Sequence, residues 1–515
     1  MPAMRMLIPS VQSLSACGVS WAPTEGTKVV VDPVWAAELG SEATTLANEL
    51  PSEGYMDTIP TTVLGGPVGE NDIYLSIGVV SSSAKAEAYR MGVSDGLKIL
   101  ASDGAGAFYA SRTLLQALKI HGKFTGTVLD WPAYKQRGVM LDIARKHYTS
   151  GWIERLICDM SYRKLNVLQL HLSDSQGFRV ESRKHPEIVS KQHLSLDEVR
   201  KILKVAKRYH VEVIPDIDTP AHLDHILKTH PEWRLKLRNG GVLDSHMDYS
   251  IPAVRGFVKE LVEEMADVFP GKYFHLGGDE FFPAPWQTGS ADVVNADTAP
   301  HLVEYAASVA GRGATIFDGY KHYLNELIVL LKSRNKTAKV WNDDIYPEEG
   351  VLELDKSTEV EGWVRWNRSK PNAGVLADAG YPVVNANGDY LYFILTGEGV
   401  GAGLNKCPEG IYERWHPRRF MGVAGDGGNY DLPDEKPLLG AHLSIWADVP
   451  NALTQAQVAS GFLPWQSSFA QQMWGSPMVV GSYREFTGII AAIGTSPALV
   501  NAATNLREPA ATVAS

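Results

Sequence analysis

Three consecutive runs between residues 166 and 218 predict a strand, a helix and a second strand: NVLQLHLSD (166–174), SLDEVRKILKVAKRYH (195–210) and VEVIPDID (211–218). The two outer runs are short and apolar, and the middle run has helical amphipathic periodicity. Ser195 and Glu198 stand three residues apart at the start of the predicted helix, which is the spacing of a capping box. This order of elements is typical of a parallel sheet with helical crossovers.

The same alternation continues on both sides of this unit. Further strand-like runs read GVMLDIA (138–144), YFHLGGDE (273–280), AKVWNDD (338–344), STEVEGWV (357–364), PVVNANGDYLYF (382–393) and GAHLSIWAD (440–448). Eight strands with helical patterns between them predict one (β/α)8 TIM barrel. The glycine-rich run GEGVGAG (397–403) lacks the GxGxxG spacing of a nucleotide site. We therefore expect it in a long loop, 395–438.

The segments outside the barrel have a different composition. Residues 1–130 alternate strand-like and helical runs and predict a small α+β domain, with a helix from Gly106 to Lys119. The stretch DWPAYKQRG (130–138) is rich in turn-forming residues and indicates a boundary. The predicted organisation is an α+β domain (1–130), a catalytic barrel (131–480) and a C-terminal appendage (481–515) rich in Ala, Gly and Thr.

Composition excludes several classes of protein. Of the 515 residues 44% are hydrophobic and 21% are charged, which is typical of a globular chain and excludes general disorder. The net charge of −11 argues against a nucleic-acid partner bound by general electrostatics. We find no apolar run long enough for a transmembrane helix, and the N-terminus does not resemble a signal peptide.

Polar side chains follow every predicted barrel strand. They include Asp142, Arg145, His171, Asp174, Asp216, Asp218, His222, His275, Asp279, Glu280, Trp341, Asp343, Asp344, Trp363, Asp389, Tyr390, Tyr392, Trp446 and Asp448. Because the carboxyl ends of barrel strands meet at one mouth, we expect these residues to line a functional pocket. Acids together with tryptophans favour a carbohydrate site, in which carboxylates catalyse and indoles contact sugar faces.

Two other chemistries are weaker. His171, Asp174, His222, His275 and Asp279 have side chains that can bind a metal, but no HxH or HExxH pair is present. No GxSxG turn for a serine nucleophile occurs either. We therefore predict neither a metal nor another cofactor.

Four ordered blocks carry a family resemblance: RGVMLDIAR (137–145), KLNVLQLHLSDSQGFRV (164–180), VIPDIDTPAH (213–222) and HLGGDE (275–280). They resemble glycoside hydrolase family 20, the β-N-acetylhexosaminidases, and residues 106–118 are similar to the closing helix of that family's small N-terminal domain. The resemblance implies retaining hydrolysis in which the sugar's own acetamido oxygen attacks the anomeric carbon. It assigns Glu280 as general acid and base, Asp279 as the residue that orients the acetamido N–H, and Tyr392 as the donor to the acetamido oxygen.

The same resemblance assigns supporting roles. Asp174 and His222 match a relay that tunes the acid, and Arg145 matches an arginine that binds sugar hydroxyls. The resemblance also implies contacts from other substrate-binding residues, namely Trp341, Trp363, Trp446, Asp448 and His275. We further expect the charge of Asp279 to raise the pKa of Glu280 and keep it protonated.

One departure leaves the substrate open. Many family members have Tyr-x-Asp after the seventh strand, whereas this chain has Tyr392, Phe393 and Ile394. Loss of that acid leaves room for another sugar, as in the lacto-N-biosidases of the family, unless Asp389 or a loop residue replaces it. The leading prediction is a β-N-acetylhexosaminidase that removes GlcNAc or GalNAc from an oligosaccharide or glycoconjugate. The alternatives are a lacto-N-biosidase that releases a disaccharide and a non-catalytic glycan-binding relative. A glycan substrate favours a secreted or cell-associated protein, and oligomeric state stays open.

Overall fold

A computed structural model describes residues 6–51, 54–81, 85–282, 293–368, 370–396, 399–400, 405–426 and 428–500. It contains an N-terminal α+β unit, a closed (β/α)8 barrel and a short helical C-terminal segment. The predicted fold class is therefore confirmed. Within these ranges no helix is both long and apolar enough to span a membrane.

The N-terminal unit is built on one mixed seven-stranded sheet. Its strands, in spatial order, are Ser13–Trp21, Phe124–Asp130, Tyr89–Ser94, Gly96–Ala101, Ile73–Ile77, Lys28–Val31 and Thr61–Leu64. Two helices, Ala36–Glu49 and Gly104–His121, pack against each other beside this sheet. The second helix, predicted from Gly106 to Lys119, ends at Gly122, whose positive φ of 66° suits glycine.

The barrel contains eight parallel strands that close on themselves. In chain order they are Gln136–Asp142, Val167–Asp174, Glu212–Thr219, Tyr273–Gly277, Thr337–Trp341, Glu359–Gly362, Val383–Asn385 and Gly440–Trp446. The eighth strand pairs with the first, which completes the circle. All eight coincide with predicted runs, because each run combines β-branched residues with burial on both faces.

Helices surround the barrel and connect its strands. They are Ser150–Tyr162, Leu196–Arg208, Asp224–Thr229, Pro252–Val268, Pro300–Ala310, Ile316–Ser333, Ala373–Asp378, Pro408–Glu413 and Gln455–Trp474. Ser195 and Glu198 form the predicted capping box at the start of the second of these helices. Its neighbouring residue Tyr209 donates its hydroxyl to Glu49 of the N-terminal unit (2.9 Å), and Glu49 also pairs with buried Arg112.

One expectation near the seventh strand was wrong. Residues 382–393 do not form one strand: the barrel strand ends at Asn385, and Tyr392–Thr396 pairs in parallel with the eighth strand instead. The Asn385 side-chain amide donates to the carbonyls of Pro417 and Arg419, which ties the chain to the following segment and interrupts the ladder.

The segment that we predicted as a long loop, 395–438, contains short elements of secondary structure. Its described parts contain short strands at Gly399–Val400, Arg419–Met421 and Asn429–Asp431, besides the helix Pro408–Glu413. Most of the glycine-rich run 397–403 lies outside the described residues, as does 501–515 of the predicted appendage. The described part of the appendage contains the helix Tyr483–Ile493. Two further short pairs complete the inventory: Gly177–Phe178 pairs with the second barrel strand, and Arg234–Lys236 pairs with Val242–Met247.

Candidate active site

A cavity of about 340 Å³ opens at the carboxyl-terminal ends of the barrel strands. Ten of the eleven predicted site residues line it: Arg145, Asp174, His222, Asp279, Glu280, Trp341, Trp363, Tyr392, Trp446 and Asp448. The lining also includes residues to which the sequence assigned no role, among them Trp366, Lys406 and Met421. A second hollow, of about 380 Å³, is lined by Arg179 and Lys191 among others and contains none of the predicted residues.

Six of the strand-end residues that we expected in the pocket do not line it: Asp142, His171, Asp216, Asp343, Asp344 and Tyr390. His275 is the one residue with a predicted substrate role that does not reach the cavity. It is fully buried, with its ring 4.7 Å from the ring of Trp341 and its Nδ1 3.4 Å from Asp216. The amide of Gly277 donates to the same Nδ1 (3.0 Å). The assignment of His275 as a sugar contact therefore does not fit, because the ring lies one layer below the cavity and supports Trp341 and the turn above it.

The turn after the fourth strand needs its two glycines. Gly277 and Gly278 have positive φ angles of 73° and 84°, which only glycine adopts at little cost. A Cβ on Gly277 would lie 1.9 Å from the Asp218 carboxylate, and one on Gly278 would lie 2.8 Å from the Tyr320 hydroxyl. Glu280 itself has a φ of 51°, which costs a non-glycine residue about 1 kcal/mol. The GGDE motif thus presents two acids to the cavity from a tight and strained turn.

His222 contacts both acids. Its Nε2 lies 3.2 Å from Glu280 and 3.5 Å from Asp279. Burial disfavours the imidazolium, but the negative charge of Asp279, the hydrogen bond to Glu280 and the charges of Asp218 and Asp174 raise the pKa of His222 well above its usual range. His222 is therefore a cation that faces a pair of carboxylates.

The two acids titrate in the order opposite to the prediction. Burial raises the pKa of Asp279 to about 6, against the charge of His222 and with that of Asp343. Burial also raises the pKa of Glu280, but the hydrogen bond and charge of His222, together with Arg145, outweigh it and leave the pKa below its usual value. The expected rise in the pKa of Glu280 was wrong, because the sequence did not reveal that the cationic His222 lies 3.2 Å from that carboxylate.

Asp218 shares the environment of Asp279. Its side chain is buried, and burial together with the charge of Asp279 raises its pKa well above the usual range. Oxygen atoms of the two carboxyl groups lie within 4.8 Å of each other, so two negative charges there would repel. Burial and this repulsion therefore favour the protonated form of Asp218.

Asp174 and Arg145 form a second, adjacent group. Asp174 accepts from Arg145 Nη2 (2.7 Å) and contacts His171 Nε2 (2.8 Å), while His171 Nδ1 contacts Asp216 (2.8 Å). The other Arg145 terminal nitrogen donates to Asp142 (2.9 Å). Arg145 is thus held rigidly at the rim, with N–H groups left over for a ligand. Asp174 also accepts from the backbone amide of Ser175, and His222 acts on Asp174 through charge.

Aromatic rings enclose one side of the cavity. Trp363 and Tyr392 lie parallel at 6.1 Å, and Tyr392 and Trp446 lie 5.7 Å apart. Trp446 also lies 6.1 Å from Trp341, and Trp366 stands at 89° to Trp363. Burial, followed by the charge of Asp279, raises the pKa of Tyr392 well above its usual range, so its hydroxyl keeps the proton that it needs as a donor. The predicted aromatic residues therefore converge on one box.

The lining of the cavity also includes Ile394 and several polar side chains. Asp389, Lys406 and Asp448 line the same cavity as Ile394. Burial raises the pKa of Asp389, and the positive charge of Lys406 opposes that rise. Ile394 replaces the usual acid of the Tyr-x-Asp triplet. The carboxyl group of Asp389 and the ammonium of Lys406 line the same cavity and are available to bind a sugar there.

Two overlapping groups of side chains have donor atoms within 4.8 Å of one another: His171, Asp174 and Asp218, and Asp218, His222 and Asp279. Asp174 and His171 already bind each other, and Arg145 occupies the same carboxylate. A metal ion in the first group would have to displace the guanidinium of Arg145. A metal-independent site stays a prediction that chelation tests.

A TIM barrel with paired carboxylates and an aromatic box at its mouth has the layout of a glycoside hydrolase. Residues 134–477 match the family model described as "Glycosyl hydrolase family 20, catalytic domain". Residues 5–131 match "Glycosyl hydrolase family 20, domain 2". The chain belongs to glycosyl hydrolase family 20.

Curated relatives agree with this placement. A lacto-N-biosidase from Bifidobacterium bifidum is 28% identical over 495 residues, covering 95% of this chain and 41% of the relative. The β-hexosaminidase subunit A1 of Dictyostelium discoideum is 25% identical over 365 residues, covering 68% of this chain and 61% of the relative. The chain thus spans between two fifths and about three fifths of the length of these relatives.

Solved structures share the fold. The chitobiase of Flavobacterium johnsoniae superposes with a TM-score of 0.74 at 24% identity, covering 97% of this chain and 73% of the other. The family 20 β-N-acetylhexosaminidase of Streptomyces coelicolor A3(2) superposes with a TM-score of 0.72 at 21% identity, covering 95% of each chain.

Proposed function

We propose that this protein is a retaining glycosidase that hydrolyses β-linked N-acetylhexosaminides by substrate-assisted catalysis. The observation that carries the proposal is the convergence of Asp279, Glu280 and Tyr392 on one cavity with the tryptophan box. Since the sugar's acetamido oxygen serves as the nucleophile, the protein needs an acid, an orienting carboxylate and a hydroxyl donor rather than a second nucleophilic carboxylate.

In the first step the acetamido oxygen bonds to the anomeric carbon as the bond to the leaving group breaks. Glu280 gives its proton to the departing oxygen, and the product is an oxazolinium ion. Asp279 accepts a hydrogen bond from the acetamido N–H and stabilises the positive charge that develops there. The Tyr392 hydroxyl donates to the acetamido oxygen and holds it in position. Glu280 then activates water, which opens the oxazolinium ion with net retention.

The proton on Glu280 has an adjacent source. His222 Nε2 lies 3.2 Å from the Glu280 carboxylate, and the raised pKa of His222 makes it cationic in the free site, so the pair holds one proton close to the acid. Transfer of that proton across the contact makes Glu280 the acid and leaves His222 neutral. His222 therefore replaces the role that we first expected of Asp279 in keeping the acid protonated.

A second candidate is release of a disaccharide. Ile394 stands where many family members have an acid, and a Bifidobacterium relative that is 28% identical over 95% of this chain is named a lacto-N-biosidase. Asp389 and Lys406 lie in the same cavity and offer polar contacts to an additional sugar. Either glycan substrate favours a secreted or cell-associated protein.

Hydrolysis of two aryl glycosides tests both candidates. We expect the protein to cleave 4-nitrophenyl N-acetyl-β-glucosaminide, to retain that activity in EDTA and to be inhibited by the thiazoline mimic of the oxazolinium ion. Faster cleavage of 4-nitrophenyl β-lacto-N-bioside would replace single-sugar release with disaccharide release. Failure on both substrates would favour a glycan-binding protein, and indifference to the thiazoline would contradict substrate assistance.

A further inference from the structure

The acid loop, residues 279–282, is attached to the residues that follow the fifth barrel strand. The amide of Glu280 donates to Asp343 Oδ2 (3.0 Å), and the amides of Phe281 and Phe282 both donate to Asp344 Oδ2 (2.8 and 3.0 Å). Three successive backbone donors are therefore held by two neighbouring carboxylates. The left-handed backbone of Glu280 needs such support, because its φ of 51° is disfavoured for any residue with a Cβ.

One lysine holds both of the residues that carry these carboxylates. Lys370 donates to Asp344 Oδ1 (3.0 Å) and to the backbone carbonyl of Asp343 (2.7 Å). The Lys370 side chain is 3% exposed and the Asp344 side chain is fully buried. Within the described ranges, Lys370 is the one lysine or arginine in contact with Asp343 or Asp344. The positive charge of Lys370 balances the negative charges of Asp343 and Asp344, which lie close to the acid loop.

Asp343 also connects the acid loop to the aromatic box. Asp343 Oδ1 accepts a hydrogen bond from Trp363 Nε1 (3.0 Å), while Asp343 Oδ2 accepts one from the Glu280 amide. A shift of Asp343 would therefore move the general acid and a wall of the sugar site together. Lys370 comes from the loop after the sixth strand and does not line the cavity.

We propose that Lys370 is a positioning residue for the general acid: by anchoring Asp343 and Asp344, it fixes the backbone from which Glu280 reaches the glycosidic oxygen. The proposal rests on the proposed function for its kinetic consequence. The alternative is that Lys370 is an ion-pair partner that contributes to folding and has no effect on the acid.

The leaving group separates these alternatives. A general acid matters most when the leaving group is a poor one, because a good leaving group departs without protonation. Lys370→Met should lower kcat/KM for phenyl N-acetyl-β-glucosaminide by about a hundredfold and for the 2,4-dinitrophenyl glycoside by less than about fivefold. A folding role alone would leave the ratio of the two values unchanged.

Lys336 provides a matched control. Its buried ammonium donates to the backbone carbonyls of Phe269 and Gly271, away from the acid loop. Lys336→Met should alter stability, while the ratio of the kcat/KM values for the two substrates should stay at the parent value. An equal change of that ratio in both lysine variants would overturn the proposal.

Lys370→Met leaves the negative charge of Asp344 without its partner, and a double variant removes that charge. Lys370→Met combined with Asp344→Asn removes the orphaned carboxylate, while the amide oxygen still accepts from the acid loop. We expect it to fold and to recover the parent ratio of kcat/KM values to within about fivefold. A double variant that folds yet keeps the leaving-group selectivity of Lys370→Met would contradict anchoring through Asp344.

Hydrogen–deuterium exchange tests the geometry without reference to activity. The peptide that contains residues 279–282 should exchange slowly in the parent and faster in Lys370→Met, with Lys336→Met as the control. If the parent hydrolyses neither aryl substrate, the proposed function fails and exchange still tests the anchor. Unchanged exchange, or faster exchange with an unchanged leaving-group ratio, would overturn the positioning role.

Discussion

Two clusters of buried charged side chains lie in the same barrel and differ in how many of their carboxyl groups have raised pKa values. The lower cluster, near the amino-terminal ends of the strands, consists of Gln136, Lys339, Glu359, Glu361 and His442. Lys339 contacts Glu359 (2.8 Å), Glu361 (3.0 Å) and Gln136 (3.1 Å), and His442 contacts Glu361 (3.2 Å). The upper cluster lies at the mouth and contains the acids that line the cavity.

Ionisation distinguishes the two clusters. In the lower one, burial opposes charge, but the charges of His442 and Lys339 outweigh it and hold the pKa of Glu361 well below its usual value. At the mouth, burial raises the pKa of Asp279 to about 6 and, against the charge of Lys370, that of Asp344 to about 7. The lower carboxylates have their counter-charges at contact distance, and so do Asp174 and Glu280 at the mouth, whose pKa values are also lowered. The other carboxyl groups at the mouth share their cations, because Lys370 is the counter-charge of both Asp343 and Asp344, and His222 that of both Asp279 and Glu280.

The comparison teaches that the number and distance of counter-charges, more than burial alone, separate a stabilising cluster from a reactive one. Groups with raised pKa values are able to hold or exchange a proton near neutral pH, which acid–base catalysis requires. Four changes test whether the two clusters differ in this way.

The largest effect should come from Glu280→Gln at the mouth. Loss of the proton donor should lower kcat for phenyl N-acetyl-β-glucosaminide by about a thousandfold. Steady-state kinetics on the purified variant would measure it, with unfolding curves to show that the fold is retained. A loss below about tenfold would show that another group protonates the leaving oxygen.

Glu361→Gln in the lower cluster should affect stability instead of turnover. Removing one member of a buried ionic group should lower the free energy of unfolding by about 3 kcal/mol, because Lys339 and His442 lose a partner. Urea unfolding at neutral pH would measure the loss, and kcat of the folded protein should equal that of the parent. A variant with normal stability and impaired turnover would remove the distinction between the clusters.

Asp279→Asn should change how stability depends on pH. Because burial raises the folded-state pKa of Asp279 to about 6, the unfolded chain releases this proton first, and the parent loses stability as pH rises from about 4 through 6. The asparagine variant has no carboxyl group at this position and so does not lose stability in this way. Between about pH 4.5 and 7.5 its free energy of unfolding should rise by about 2 kcal/mol relative to that of the parent.

Unfolding midpoints of the two proteins across this interval measure the gain, and Glu361→Gln serves as the control. The carboxyl of Glu361 titrates below the interval, since its folded pKa is lowered. Its substitution should therefore shift stability by a constant amount. A flat difference for Asp279→Asn as well would contradict the raised pKa at the mouth.

The smallest effect should come from Trp363→Phe. Phenylalanine preserves an aromatic wall but removes the Nε1 donor to Asp343, a hydrogen bond to a carboxylate. We expect kcat/KM to fall by about tenfold, as the loss of one charge-assisted hydrogen bond predicts. Trp366→Phe, which changes a neighbouring wall of the cavity, is the comparison, and equal losses in both would show that ring size rather than the Asp343 contact matters.

The barrel was predictable because strand and helix patterns are local. Each barrel strand is a short buried run, and each polar strand end lies at the mouth by topology alone. The motif HLGGDE located the acids for the same reason, since a turn of two glycines between a strand and two carboxylates is encoded within six residues. His275 belongs to the same motif, yet its depth below the cavity could not be predicted from its position in the chain.

The partners of the acids were decided by tertiary structure. His222 contacts Glu280, and Lys370 reaches Asp344 from a loop 26 positions away, so no spacing rule connects them. Asp343 and Asp344 were recognisable as polar residues after a strand, but their hydrogen bonds to the acid loop were not. The sequence alone placed the two acids of the GGDE motif at the mouth. The folded structure decided their proton affinities, because electrostatic energy depends on distances that only the closed barrel defines.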